Sequence, residues 1–126
     1  MPRQDQGQGP AAGSSSFAFP FRMRAVLLPA AGFVKKRVRI SGEELLLGSG
    51  PRSPLRELRR DDTVAPIHAR IIRNGEDFIL QDERSGLGTF LSGVPVISCP
   101  LRDGDVFQIG RNVFIFGRIL EVEGDR

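Results

Sequence analysis

The chain has 126 residues, of which 40% are hydrophobic and 26% are charged, so we expect one globular domain with a packed core. Its one cysteine, Cys99, excludes an intrachain disulfide, and its net charge of +3 is too small to specify a nucleic-acid partner by itself. The apolar stretch 25–34 is too short to cross a bilayer, and basic residues follow it where a signal peptide would have a cleavage site.

The first 16 residues are mostly Gln, Gly, Pro, Ala and Ser, which cannot bury enough apolar surface to offset the entropy lost on ordering. We therefore predict a disordered leader over residues 1–22, a folded domain over residues 23–122 and a short tail over residues 123–126. Phe17, Phe19 and Phe21 alternate within the leader, where they are expected to be incidental aromatics of a frayed tail; the alternatives are that they pack on the domain or bind another molecule.

A period of two over residues 34–40 places apolar side chains on one face and basic side chains on the other, which predicts a half-buried strand. Residues Glu43–Leu47 are expected to be its hairpin partner across Ser41-Gly42, and Asn74-Gly75 is a strong hairpin signal between two later strands. Those later strands are predicted over Ala69–Ile72, Asp77–Gln81, Thr89–Leu91, Val94–Ile97, Val106–Ile109 and Val113–Phe116.

One short segment favours a helical turn near residues 54–60. Ser53 suits the capping position, Pro54 suits the first helical position, and two arginines near residue 60 suit the negative end of the helix dipole. With this exception the chain reads as many short strands separated by turns, which predicts an all-β sandwich or barrel.

Four segments, in this order and spacing, resemble the forkhead-associated domain family. They are Gly48, Val64–Ile71, Asp82–Gly93 and Leu101–Gly110, and the resemblance extends over about residues 23–120. It implies an eleven-stranded β-sandwich whose loops at one end bind phosphothreonine peptides. The family's usual ligand pattern is Gly-Arg, then Ser-x-x-His, then Ser-x-Asn-Gly-Thr.

The chain departs from that pattern where the family contacts phosphate and peptide. Ser49 stands in the Arg position, Ala65 in the Ser position and Leu87 in the Asn position. A phosphate dianion needs a fork of N–H donors and nearby hydroxyls, so the resemblance implies a degenerate phosphothreonine site. The expected ligand-binding residues, matched or replaced, are Ser49, Arg52, Ala65, His68, Arg84, Ser85, Leu87, Gly88 and Thr89.

We expect this site to bind a protein through the loops around residues 49–66 and 83–93, with Leu87 beside Pro51, Pro66 and Ile67 as an apolar contact. A first alternative keeps phosphothreonine binding, with backbone N–H groups of residues 48–52 forming an anion nest and with Arg52, Arg56 or Arg84 replacing the missing Arg. Otherwise these arginines are solvated loop charges, balanced by Glu57, Asp61 and Asp62. A second alternative is nucleic-acid binding through the basic loop 52–60, which carries Arg52, Arg56, Arg59 and Arg60 but no interleaved aromatic residue for base stacking.

The sequence shows no constellation of residues typical of a catalytic site. His68 is the only histidine, Cys99 lies in a Ser-Cys-Pro segment predicted to turn, and no nucleophile–base pair or metal-ligand cluster is apparent. Asp103-Gly104-Asp105 lacks the rest of a calcium loop and reads as a turn before a strand. We therefore expect a cytoplasmic, non-enzymatic signalling module without cofactor or metal, of a kind that often forms one part of a larger protein.

Overall fold

The computed structural model describes residues 21–122, and nearly all of their regular structure is β. Residues Arg24–Ile119 form one compact unit, and residues 21–23 and 120–122 are the described part of a second unit. The predicted leader, apart from its last two residues, and the predicted tail lie outside the described residues. The described residues contain ten strands: β1 (Phe21–Ala31), β2 (Val38–Ile40), β3 (Glu44–Leu47), β4 (Ala69–Asn74), β5 (Asp77–Asp82), β6 (Thr89–Leu91), β7 (Val94–Pro95), β8 (Ser98–Leu101), β9 (Val106–Ile109) and β10 (Asn112–Val122).

The strands form two antiparallel sheets. The order in the six-stranded sheet is β2-β1-β10-β9-β6-β7, and the order in the four-stranded sheet is β3-β4-β5-β8. Side chains alternate between the two faces of each strand, so one face of each sheet contributes to a shared core. The prediction of an all-β sandwich is confirmed.

The core is built from paired inward-facing residues of consecutive strands. Phe107 pairs with Phe114 across β9 and β10, and their ring centroids are 5.5 Å apart. Ile71 pairs with Leu80 across β4 and β5, and all four side chains are fully buried. Burying one such side chain contributes about 1.5–3 kcal/mol, so these pairs fix the register of both sheets.

The predicted hairpin between residues 34–40 and Glu43–Leu47 is wrong. Ile40 of β2 pairs with Ala25 of β1, whereas Leu47 of β3 pairs with Ala69 of β4. Ser41-Gly42 therefore lies in a connection that carries the chain from one sheet to the other. Both strands have an apolar inward face, and that pattern is the same whichever sheet a strand joins.

Two shorter elements also bear on the predictions. A 3₁₀ turn spans Arg56–Leu58, so the predicted helical turn is present. Its capping residue is Leu55 and not Ser53, and it begins after Pro54, because Ser53 Oγ accepts from Leu55 N–H at 3.2 Å and so holds the chain before the turn. The predicted turn at Cys99 is wrong, because Ser98–Leu101 is the edge strand β8, in which Cys99 pairs with Leu80. An edge strand tolerates the missing N–H of a proline, which is why the Ser-Cys-Pro sequence can adopt it.

Candidate functional site

The predicted site residues lie on two loops at the same end of the four-stranded sheet. Residues 48–68 connect β3 to β4, residues 83–88 connect β5 to β6, and Ala69 at the start of β4 is paired with Asp82 at the end of β5. Loops 32–37 and 110–111 lie at this end too, because Asn112 is hydrogen-bonded to both Phe33 and Asp61. We call these four loops the apical end.

The chain leaving β3 packs directly on the backbone that enters β4. The N–H of Ser49 donates to Ala65 O at 3.0 Å and the N–H of Gly50 donates to Pro66 O at 3.1 Å. A Cβ atom on Gly48 would lie only 2.1 Å from Pro66 O, so only glycine permits this approach. The predicted anion nest is therefore not formed, because the N–H groups of Ser49 and Gly50 already donate within the protein.

Ser49 and Ala65, which replace the family's Arg and Ser, offer no phosphate fork. The Ser49 hydroxyl turns back onto the loop and donates to Val64 O at 2.8 Å. Ala65 has no side-chain donor, and its N–H is used by His68. Arg52 is exposed in the turn that follows Gly50, and its guanidinium has no hydrogen-bond or ion-pair partner among residues 21–122.

His68 is fully buried and joins the two loops. Its Nδ1 accepts from Ala65 N–H at 3.0 Å, so its Nε2 carries the proton and donates to Gly88 O at 2.8 Å. The His68 backbone also takes part, with its N–H donating to Leu47 O and its C=O accepting from Glu83 N–H. Both ring nitrogens are thus occupied by backbone groups, an arrangement that positions loops and leaves no nitrogen for a substrate or a metal.

Asp82 organises the second loop, and the sequence analysis missed it. Its Oδ1 accepts from the Ser85 and Thr89 hydroxyls, both at 2.7 Å, while Ser85 Oγ accepts from Gly88 N–H at 2.9 Å. Burial would raise the pKa of Asp82, but the hydrogen bonds from Thr89 and Ser85 outweigh it and lower the pKa below its ordinary value. The two hydroxyl protons are given to Asp82, so neither is directed at a ligand. An acidic residue three positions before Ser85 was the available sequence signal for such a turn.

Leu87 stands out from the tip of this loop. Its side chain is 54% exposed, although its N–H is held by Ser85 Oγ at 3.2 Å. Arg84, Gly86 and Gly88 all have positive φ, with values of 58°, 76° and 96°, and these left-handed residues fold the loop tightly around Leu87. The apolar residue is therefore presented to solvent by a firmly held backbone.

The predicted apolar companions of Leu87 lie on the other loop, residues 48–68. Pro51 and Pro66 are exposed and Ile67 is half-buried. Pro66 is held against Gly50, and the His68–Gly88 hydrogen bond fixes this loop relative to the loop that carries Leu87. We call Pro51, Pro66 and Leu87 the apolar patch.

A buried polar cluster, also missed from the sequence, anchors the long loop 48–68 to the other sheet. Asn112 Nδ2 donates to Asp61 Oδ2 at 2.6 Å, and Asn112 Oδ1 accepts from Phe33 N–H at 2.9 Å. Burial would raise the pKa of Asp61, but hydrogen bonds from Thr63 and Asn112, with the charge of Arg111, lower it overall. The carboxylate is thus a structural anchor with all its partners inside the protein.

The described residues contain no candidate metal centre. No group of three or more His, Cys, Asp and Glu side chains within residues 21–122 is placed to hold an ion. Burial, together with the charge of Asp105, raises the pKa of the Cys99 thiol, which disfavours the nucleophilic thiolate. Across the same stretch no helix has the length and apolarity needed to cross a membrane.

The family, sequence and structure comparisons with known proteins all give matches. The model of the FHA (forkhead-associated) domain family matches residues 45–110. The oxoglutarate dehydrogenase inhibitor of Corynebacterium jeikeium (strain K411) is 32% identical over 109 residues, which cover 82% of this chain and 76% of that protein.

Solved structures agree on the fold. A domain from a structural and functional study of phosphothreonine-dependent FHA domain interactions has a TM-score of 0.65 at 25% identity, covering 75% of this chain and 95% of that chain. The FhaA FHA domain, crystallised with the intracellular domain of Rv3910, gives the same TM-score and identity over 73% of this chain and 98% of that chain. The FHA domain of the CT664 protein from Chlamydia trachomatis, 22% identical, has a TM-score of 0.66 and covers 75% of this chain and 96% of that one.

Proposed function

Because this chain belongs to the FHA domain family, whose members are protein-interaction modules that bind phosphothreonine, we propose that it binds a protein partner through its apical loops without requiring a phosphate. The observation that carries this proposal is the Ser49 hydroxyl. It occupies the position of the family's phosphate-binding Arg and donates to Val64 O at 2.8 Å, within its own loop.

The size of the missing contacts supports binding that does not depend on phosphate. A hydrogen bond to a charged group contributes about 1.5–3 kcal/mol, so loss of the Arg alone weakens phosphate binding by roughly ten- to one-hundred-fold. Ala65 supplies no hydroxyl, and Ser85 and Thr89 already donate to Asp82. A phosphothreonine would therefore meet few donors at the place where the family binds it.

The apolar patch supplies a different kind of contact. Leu87, 54% exposed, replaces an amide that would otherwise hold the backbone of a bound peptide. Its loop is fixed by Asp82 and by the His68–Gly88 hydrogen bond, so a partner can bury it with little further loss of conformational entropy. This arrangement suits an apolar side chain of a partner, in a contact ringed by polar loops.

The C. jeikeium relative bears on the kind of partner. It is named for inhibiting an enzyme, oxoglutarate dehydrogenase. A protein that inhibits by binding needs an interaction surface and no active site of its own. We accordingly propose that this chain is non-enzymatic and that an enzyme is one type of partner to test, while its cytoplasmic location stays a prediction.

One alternative has a specific observation in its favour. Arg52 and Arg84 are exposed on the two loops that flank the site, and neither side chain has a partner among the described residues. A phosphothreonine held by these two side chains would restore the family's usual activity by another route. Binding of nucleic acid through the basic loop 52–60 has no comparable support, because no exposed aromatic residue lies within that loop.

Calorimetric titration with matched peptides separates these modes. Each peptide of an array is made with threonine and with phosphothreonine, and the strongest binders are titrated into wild type, Leu87→Ser and Val94→Ser. Val94 is a suitable control because it is a similarly exposed apolar residue outside the apical loops.

We expect the phosphate to change affinity by less than about three-fold, and Leu87→Ser to weaken binding by about ten-fold, the equivalent of one buried leucine contact. Val94→Ser should have no effect. Tight binding that depends on phosphate, and that is lost in Arg52→Ala or Arg84→Ala, would replace this proposal by the alternative.

A further inference from the structure

The charges of the molecule are concentrated by sign at its two ends. The apical loops carry nine Lys and Arg side chains and four carboxylates, an excess of five positive charges in a chain whose net charge is only +3. At the opposite end, loops 41–43, 75–76 and 102–105 carry four carboxylates and one cation, Arg102. The basic excess is therefore a property of the end that carries the proposed binding loops.

Most of the apical cations form no ion pair with another described residue, within residues 21–122. Asp61 and Asp62 pair with Arg111, and Glu83 pairs with Arg70 of strand β4. Glu57 is the one apical carboxylate without an ion pair among residues 21–122. Four exposed arginines of the long loop have no partner within that stretch of the chain, and we call them the arginine segment: Arg52, Arg56, Arg59 and Arg60.

The arginine segment is held in a fixed place beside the apolar patch. Leu55 and Leu58 are buried in the core, so the 3₁₀ turn between them cannot lift away without exposing both. Ser53 N–H donates to Gly50 O, and Gly50 N–H donates to Pro66 O, which joins the start of the segment to the loop of the patch. Arg52 therefore lies in a tight turn whose first residue, Gly50, is hydrogen-bonded to Pro66.

The apical end offers few exposed aromatic rings for the base stacking that a single-stranded nucleic acid would need. Phe33, on another apical loop, is the one exposed phenylalanine among residues 22–121, and the guanidinium of Arg111 already lies over its ring at 5.5 Å. The neighbours of the arginine segment are instead prolines and a leucine. Positive charge beside an apolar contact favours a peptide with carboxylates next to an apolar side chain.

We infer that the partner's binding segment is acidic: an apolar side chain rests on the apolar patch, and Asp or Glu residues next to it face the arginine segment. This inference rests on the proposed function and specifies the chemistry of the partner. The opposite charge of the two ends also orients an acidic partner toward the apical end before contact, an effect that falls as salt shortens the range of the field.

The test begins with selection of short random peptides on the immobilised full-length chain. Enriched peptides are labelled with fluorescein, and their affinities are measured by anisotropy at low and at physiological salt. The variants are Leu87→Ser, a quadruple Arg→Gln change of the arginine segment, and Arg102→Gln as a control that removes one exposed arginine from the opposite end. Thermal melting of each variant confirms that it remains folded.

We expect enrichment of Asp and Glu beside an apolar residue, and affinities that fall as salt rises. Each exposed ion pair gives about a two- to five-fold effect, so the quadruple variant should bind about ten-fold or more weakly at low salt. Arg102→Gln should change affinity by less than about two-fold on the same scale.

The outcomes separate this inference from the proposed function. Neutral peptides that depend on Leu87 but not on the arginine segment would overturn the inference and leave the proposed function standing. Acidic peptides whose affinity is unchanged by Leu87→Ser would overturn the proposed contact with the apolar patch. A labelled DNA oligonucleotide that binds more tightly than every selected peptide, and releases in the quadruple variant, would show that the arginine segment binds nucleic acid and would overturn the inference.

Discussion

The ring of His68 and the carbonyl of Gly88, twenty residues apart in the chain, are joined by a hydrogen bond of 2.8 Å. It lies beneath the two loops that carry Ser49 and Leu87. The other ring nitrogen accepts from Ala65 N–H at 3.0 Å, so one side chain determines the spacing of both loops. The geometry of the proposed binding surface therefore depends on a residue that no ligand touches.

His68→Ala should lower the free energy of unfolding by about 2–4 kcal/mol, because it leaves the part-buried Ala65 N–H and Gly88 C=O without their His68 partner and creates a cavity at a fully buried side chain. Urea unfolding measures the change. Arg84→Ala, at an exposed position in the loop that carries Gly88, is the control and should shift stability by no more than about 0.5 kcal/mol. A folded His68→Ala protein of unchanged stability would contradict the role given to the ring.

Gly48→Ala should destabilise the protein by about 3 kcal/mol or more, since the added Cβ would lie 2.1 Å from Pro66 O, a backbone atom that cannot rotate away. Gly42→Ala is the matched control. Gly42 has open space around it and a φ of 79°, so alanine there meets only the cost of a left-handed backbone, about 1 kcal/mol. Equal effects of the two changes, measured by thermal melting, would show that the loop at Pro66 moves aside.

Stability should fall as the solution is acidified, through the carboxylates of Asp61 and Asp82. Both have a pKa below the ordinary value of 3.8, because hydrogen bonds to the charged form outweigh the opposing effect of burial. A group whose pKa is depressed by folding contributes stability above the unfolded pKa and loses it as pH falls through the folded value.

Urea unfolding at a series of pH values checks this, with the loss expected below roughly pH 5. Asp82→Asn should reduce stability at neutral pH and make the free energy of unfolding fall less steeply as the pH is lowered. Glu57→Gln, which removes an exposed carboxylate, should leave that acid dependence unchanged. If the unfolding free energy of Asp82→Asn fell with acidification as steeply as that of wild type, Asp82 would not contribute to the loss of stability in acid.

Phosphothreonine binding should be created, or strengthened by ten-fold or more, in the triple variant Ser49→Arg, Ala65→Ser, Leu87→Asn. The restored Arg fork supplies charge-assisted hydrogen bonds, and the Asn amide can hold the peptide backbone. The gain is reduced by loss of the Ser49–Val64 hydrogen bond, about 1 kcal/mol. A second triple variant with Lys at position 49 keeps the charge but not the fork, and it should bind more weakly in the same calorimetric titration.

Local patterns predicted those parts of the fold that depend on neighbours in the chain. Residues Thr89–Leu91 and Val106–Ile109 are strands with the predicted bounds, and Asn74 and Asp77 close the hairpin expected at Asn74-Gly75. Alternation and turn residues are sufficient there because each strand's hydrogen-bonding partner follows or precedes it closely.

Patterns failed where the decisive contact is distant. The partner of β2 is β1, and nothing in residues Val38–Ile40 distinguishes that strand from one that pairs with Glu44–Leu47. The hydrogen bond between Asp61 and Asn112 joins residues 51 positions apart. The family resemblance identified which positions of the site are altered, but only coordinates show that Ser49 turns back onto Val64.

The pairing of β1 with β10 has a consequence for synthesis of the protein. The Phe33 N–H and the Asn112 side chain that receives it are 79 residues apart, so the six-stranded sheet closes only when nearly the whole described chain is available. The hairpin of β4 and β5, by contrast, needs only the residues within Ala69–Asp82. On the ribosome that hairpin is expected to form before β1 can pair with β10. The apical loops are fully in place only after β10 has left the exit tunnel.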